Sequence, residues 1–214
     1  MKEFIIYFFL FFLYAVLGWI VEITYVYLLN KKLINRGFLI GPYIPIYGSS
    51  AIIMILYLNQ YKENPLTVFL LGVVICSILE YITSYLLEKI FNARWWDYSN
   101  LKFNVNGRIC LKNSCLFGIL GLILIYLINP LFIKLLHEMN TTWLYVIATF
   151  CFIIFVIDCI LSFVIVFKIK DRLKEFNLDA TIEIRKLVDA KIKRRYLHNR
   201  VFNAFPMLKF FRRK

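Results

Sequence analysis

The chain has 214 residues, of which 61% are hydrophobic, 18% aromatic and 18% charged, with a formal net charge of +13. Soluble domains are about 45 to 50% apolar, so this composition, with a mean hydropathy of +0.71, excludes a soluble enzyme or a free nucleic-acid binder. It indicates an all-α integral membrane protein, and because the sequence contains no GxxxxGK[ST] phosphate loop, ATP hydrolysis by such a loop would fall to a partner.

A hydrocarbon core about 30 Å thick takes about 20 helical residues to cross. The first run of that length is 4–29, with Glu22 in its interior. It follows a single lysine and lacks a small-residue cleavage site, so it reads as a retained span rather than a signal peptide. The second run, 38–60, is uncharged but interrupted by Gly41, Pro42, Pro45 and Gly48. Proline fits the first turn of a helix and not its interior, so we expect irregular backbone from Phe38 to Tyr43 and a helix starting near Pro45. Free N–H groups and the positive dipole end at such a start suit an anion, and Arg36 is close in sequence. Irregular backbone at membrane depth needs protein or a water-filled cavity around it. A plain proline-started helix cap is the competing reading.

The third run, 66–87, places Glu80, Ser84 and Glu88 on one helical stripe with Ser77 a turn earlier. The loop that follows holds Arg94, Trp95, Trp96, Asp97 and Arg108. Asn106-Gly107 is a type I′ turn dipeptide, so Lys102 to Val105 and Arg108 to Leu111 are expected to pair as a short hairpin. Trp95, Trp96 and Tyr98 suit an interfacial aromatic belt, and Arg94 with Asp97 could form an ion pair closing a cavity mouth. The fourth and fifth runs are 115–136 and 143–167, the latter with Asp158. The expectation is thus five transmembrane helices, the second broken, in a domain covering 1–167.

Of 26 Lys and Arg, 23 fall on one side of such a topology. Only Lys2, Lys62 and Lys134 fall on the other, so the N-terminus is expected outside and the C-terminus in the cytoplasm. Residues 168–214 form a tail with fifteen basic and five acidic residues. Ile184, Leu187, Val188, Ile192 and Tyr196 mark one face of an amphipathic helix capped by Asp179. Such a helix suits anionic lipid at about 1 kcal/mol per basic residue, or equally a docking partner; nucleic acid is not expected. The odd set of five cysteines reads as reduced thiols, and neither they nor His137 and His198 complete a metal set. No metal or cofactor is expected.

At an offset of 58, Gly18 to Arg36 lies over Cys76 to Arg94, and seven of nineteen residues agree, among them Glu22 with Glu80, Lys31 with Lys89 and Arg36 with Arg94. Both spans run in the same direction, so the repeat would be parallel, about an axis along the membrane normal.

Ionisable residues inside a span cost about 2.5 to 3.5 kcal/mol on insertion scales and are functional candidates by default. Glu22 and Glu80 lie nine residues before Lys31 and Lys89, and Asp158 ten before Lys168. At 1.5 Å per residue, each is about 13 to 15 Å below the cytoplasmic boundary. The expectation is one substrate-binding cavity lined by Glu22, Glu80 and Asp158, with Arg36, Arg94, Asp97 and Arg108 nearer its mouth. Acid below and base above suits a zwitterion, or a phosphate at the mouth while a proton or cation moves deeper. The competing reading is that each carboxylate only fixes helix packing.

The runs GWIVE, NRGFLIGPYIPIYG, EYITSYLLE, WWDYS and NGRICLKNS, in this order between Gly18 and Gly118, resemble the bacterial family of ABC-transporter type IV permeases. The basic tail helix is similar as well. The resemblance implies a multi-spanning permease-like protein of the bacterial inner (plasma) membrane, with Arg36, Trp95, Trp96, Asp97 and Arg108 as motif positions without assigned roles. The first functional expectation is a transport component for a small polar or anionic solute, acting as a homodimer or with a cytosolic ATPase subunit. The alternative is a membrane-embedded enzyme acting on a lipid or isoprenoid head group, with Glu22 or Glu80 as acid or base and arginines on the phosphate. A scaffold whose tail recruits a cytosolic protein is the third.

Overall fold

The computed structural model describes residues 2–31, 35, 37–175, 200–201, 204–205 and 209–210. Arg36 and the tail helix expected from Asp179 lie outside them. Most of the chain is helical. In order it forms α1 (Lys2–Asn30), α2 (Pro45–Leu58) with a 3₁₀ turn (Asn59–Tyr61), α3 (Pro65–Phe91), and strands β1 (Ala93–Arg94), β2 (Asn104–Val105) and β3 (Ile109–Cys110). Then come α4 (Leu111–Ile123), a π-helical turn (Leu124–Ile128), α5 (Asn129–Glu138), α6 (Thr141–Glu175) and β4 (Lys209–Phe210).

Among the described residues, four helical stretches are long and apolar enough to cross a bilayer: 2–28, 65–91, 111–138 and 141–169. The second expected span is different in kind. Its helix begins at Pro45, where the ring's missing N–H costs no bond, and has only 14 residues. The chain reaches Pro45 by re-entering the protein, and Ile44 N donates to Ala15 O of α1 at 2.9 Å. Asp158 accepts from the Ile40 and Gly41 N–H groups of this stretch, and Phe12 and Phe155 pack against its Tyr43.

At the far end of α2, Asn64 accepts from Thr67 N at 3.1 Å and Pro65 starts α3. Asn92, with φ 56°, ends α3 in the left-handed conformation that its short polar side chain tolerates. The stretch 111–138 passes through a π turn because Pro130, without an N–H, cannot complete the α ladder there. Asn129, beside it, is buried and accepts from Tyr14 OH at 3.0 Å, tying this stretch to α1. The helix α6 has 35 residues and runs past Phe167 to Glu175.

The main core lies where α1, α2, α3 and the stretch 111–138 meet, around Leu10, Tyr14, Met54, Leu58, Val68 and Ile125. A second cluster gathers Phe91, Trp95, Val166 and Ile169 with Val201, so the chain's C-terminal part returns to the end of α3. There Trp95 meets Phe205 at 4.7 Å, and β4 pairs antiparallel with β1. Arg200 donates to Gly37 O at 2.9 Å and to Leu39 O.

Glycines set the closest helix contacts. A Cβ on Gly48 would lie 2.5 Å from Phe11 O, a backbone atom of α1. Gly48→Ala is therefore expected to force α1 and α2 apart and lower stability by about 1 to 3 kcal/mol. Gly121→Ala, which meets only the flexible end of Met54 at 3.1 Å, is the control. Thermal melts of both variants in one detergent check this.

The expected hairpin forms with a different register. Asn106 and Gly107 have φ of 53° and 67°, and Arg108 N donates to Val105 O at 3.0 Å, as a type I′ turn needs. Val105 pairs with Ile109 rather than Arg108, so Arg108 belongs to the turn.

Candidate functional site

Glu22 and Glu80 come together. Tyr47, in the first turn of α2, donates its hydroxyl to Glu22 Oε2 at 3.1 Å. Its ring can lie on α1 because residue 18 is glycine, where a Cβ would stand 2.3 Å from Tyr47 Cβ. Tyr98 OH donates to Glu80 Oε1 at 3.0 Å and is itself bonded to the Asn113 side chain. Glu80 is 6% exposed, and its Oε2 is buried with no hydrogen-bond partner among the described residues. Each carboxylate lies within Coulombic range of the other, and Tyr47 within range of both. One turn away, Ser77 donates to Ser114 at 2.7 Å, extending this polar band between α3 and α4.

Tyr98 lies in the loop outside the spanning helices. Burial, reinforced by the Glu80 charge and hydrogen bond, pushes its phenol well above the usual tyrosine range. It therefore remains a proton donor to Glu80 throughout physiological pH.

Arg94, Asp97 and Arg108 form a second group, centred on Glu88. Glu88 Oε2 accepts from Arg94 Nε at 3.2 Å and from Arg108 at 3.0 Å. Arg108, 8% exposed, also reaches Ser84 Oγ at 3.2 Å and lies over the Tyr81 and Tyr85 rings, 5.7 and 5.5 Å from their centroids. The expected Arg94–Asp97 pair is present at 3.8 Å. Asp97 accepts from Ser99 N at 3.0 Å, and the Asn106-Gly107 turn backs directly onto it. A Cβ on Gly107 would lie 2.6 Å from Asp97 Oδ1.

Asp158 stands apart from both groups. Its carboxylate accepts from Ile40 N at 2.8 Å, Gly41 N at 2.7 Å, Tyr43 OH at 2.5 Å and Ser162 OH at 2.9 Å. The anion sits on the loop N–H groups of Ile40 and Gly41 rather than at the helix start expected near Pro45, and it is a side chain of this protein. In sequence, Tyr47 and Tyr98 carried no signal as carboxylate partners. Glu88 did, since it continues the Glu80–Ser84 stripe.

The family described as "Putative ABC-transporter type IV" matches residues 9–163, more than two thirds of the chain. No curated protein and no solved structure matches this chain. The matched region contains the stretches 65–91 and 111–138 and most of 2–28 and 141–169, together with both polar groups described above. The chain is accordingly a multi-pass membrane protein that belongs to this ABC-transporter type IV family.

Proposed function

We propose that this chain is the membrane-embedded component of a transport system for a small polar or anionic solute, working with a cytosolic nucleotide-binding subunit. The observation that carries the reading is the pair of carboxylates, Glu22 and Glu80, each held by a tyrosine, one from the first turn of α2 and one from the loop after α3. An ionisable group inside a span is costly to bury and is a functional candidate by default, and unlike Asp158 the Glu80 carboxylate keeps one oxygen without a hydrogen-bond partner among the described residues. Arg94, Arg108 and Asp97 stand nearer the ends of the helices and would receive the solute, with Arg36 contributing from the loop before α2. Asp158 would keep that loop in shape.

In this reading the broken second segment is a fifth crossing, its outer half α2 and its inner half the re-entrant loop. The two helix pairs are a parallel repeat. In support, Phe11 and Phe69 are 58 residues apart, and each presses on a glycine of the helix that follows, Gly48 and Gly118 respectively. Tyr47 and Phe117, each directly preceding that glycine, meet edge to face at 6.2 Å. With basic residues concentrated on one face, the N-terminus is outside and the tail cytoplasmic, where it can meet anionic lipid.

Affinity purification of the tagged chain from native membranes is expected to bring down a nucleotide-binding subunit with measurable ATP hydrolysis. Turnover of a lipid or isoprenoid phosphate by the purified chain alone would overturn this reading in favour of a head-group enzyme. For orientation, a cysteine placed in the tail of a cysteine-free variant should resist an impermeant maleimide on intact cells and react after permeabilisation. Labelling of intact cells would reverse the topology.

A further inference from the structure

The segment between α3 and α4 does not stand away from the membrane. Asn106, at the tip of the β2–β3 turn, donates its side-chain N–H to Tyr81 OH at 2.9 Å, and Arg108 lies across Tyr81 and Tyr85. Tyr81 is ten residues before the end of α3 at Phe91, which is about 15 Å along the helix. All 27 residues of α3 measure about 40 Å against about 30 Å of hydrocarbon. Even if the whole overhang of about 10 Å lay on this side, Tyr81 would sit below the hydrocarbon boundary.

One side of the hairpin rests on α3, and the rest carries an apolar surface. Phe103 is 78% exposed, Val105 51%, Leu111 50% and Leu101 40%. Leu111 N donates to Phe103 O at 3.1 Å and Val105 pairs with Ile109, which brings these residues onto one short ribbon. Asn104 and Ser99 of the same segment are engaged internally, while Asn100 is exposed at its start. Asn104 donates to Leu101 O at 2.7 Å and accepts from Gly107 N at 3.0 Å, and Ser99 is bonded to Asp97. The charged residues that remain outside are Lys102 and Lys112, both exposed. From Tyr98 to Ser114 the sequence has three basic residues and no acid.

A ribbon at this depth, apolar outside, with the Asn104 side chain turned inward and two long cationic side chains at its edge, has the complement of a lipid interface. We propose that residues 99–112 form a lipid-docking wedge, in which Phe103, Val105 and Leu111 enter the acyl boundary of the adjoining leaflet. Lys102 and Lys112 reach up to anionic head groups. The occupant is lipid rather than a protein partner because the surface begins where α4 itself enters the bilayer, and because its charge is of one sign. This inference stands independently of what the protein transports.

The test is a spin label at Phe103→Cys, with the native cysteines replaced, in nanodiscs of phosphatidylcholine with or without phosphatidylglycerol. A label at Val105→Cys provides a second reading should the first variant fail to fold. The expected result is relaxation dominated by oxygen rather than by a water-soluble nickel chelate in the anionic discs. A several-fold shift toward the chelate is expected when Lys102 and Lys112 are both changed to Glu. A chelate-accessible label in anionic discs, or one shielded from both reagents as a protein–protein contact would require, would overturn the proposal. Indifference to the lysine changes would overturn its head-group part.

Discussion

Asp158→Ala is expected to lower the unfolding free energy by about 3 to 5 kcal/mol, the range for removing one partner of a buried, hydrogen-bonded charge. The carboxylate receives two backbone N–H groups, from Ile40 and Gly41, and two hydroxyls, from Tyr43 and Ser162. Each buried donor left without an acceptor costs about 1 to 3 kcal/mol, and no water from bulk solvent reaches a bilayer interior to replace it. The change therefore acts first on the stretch before α2, which has no regular hydrogen-bond ladder of its own. Tyr47 and its bond to Glu22 follow directly from where that stretch delivers Pro45, so the loss should spread to the Glu22–Glu80 pair. Denaturant or thermal unfolding in detergent measures the energy, and protease cleavage between Asn35 and Pro45 measures the loosening. Asp158→Asn retains an acceptor oxygen and should cost less than Asp158→Ala. Equal stability of the alanine variant and wild type would show that the loop is held by its proline and aromatic packing alone.

Glu80→Gln is expected to reduce transport-linked ATP hydrolysis of the assembly purified from native membranes by about 10- to 100-fold, the equivalent of losing one charge-assisted hydrogen bond of about 1.5 to 3 kcal/mol. Glutamine preserves volume and keeps an acceptor for Tyr98 OH, so insertion and melting temperature should be unchanged. Glu22→Gln should behave alike, since its carboxylate is held by Tyr47 in the same manner. The double variant should be little worse than either single one, because residues acting on one ligand are not additive. Full activity in both single variants would make the carboxylates packing features. Glu88→Gln provides the contrast, because it leaves Arg94 and Arg108 without their shared anion and should lower stability as well as activity.

Sequence alone was enough for whatever depends on local pattern. Four of the five apolar runs form helices long and apolar enough to cross a membrane, as expected where only a helix satisfies every backbone group within one segment, while the run 38–60 gives a helix of 14 residues. The start of α2 at Pro45 followed from the missing N–H of proline, and the Asn106-Gly107 turn from its need for two positive φ angles. The intramembrane acids were conspicuous because charge there is costly. Contacts between distant residues were decided by tertiary structure. Glu22, Glu80 and Asp158 share a depth measured along their helices, yet depth says nothing about azimuth, and α6 turns Asp158 toward the re-entrant loop rather than toward the other two. Tyr98 and Tyr47 reach Glu80 and Glu22 from loops and helix starts whose paths no period describes. The sequence suggested an anion at the start of α2, whereas the structure puts one on the loop N–H groups of Ile40 and Gly41, and it is a side chain 118 residues further along the chain. Position along a segment is encoded by composition and periodicity, whereas the choice of partner is made only when helices pack and bring their faces into register.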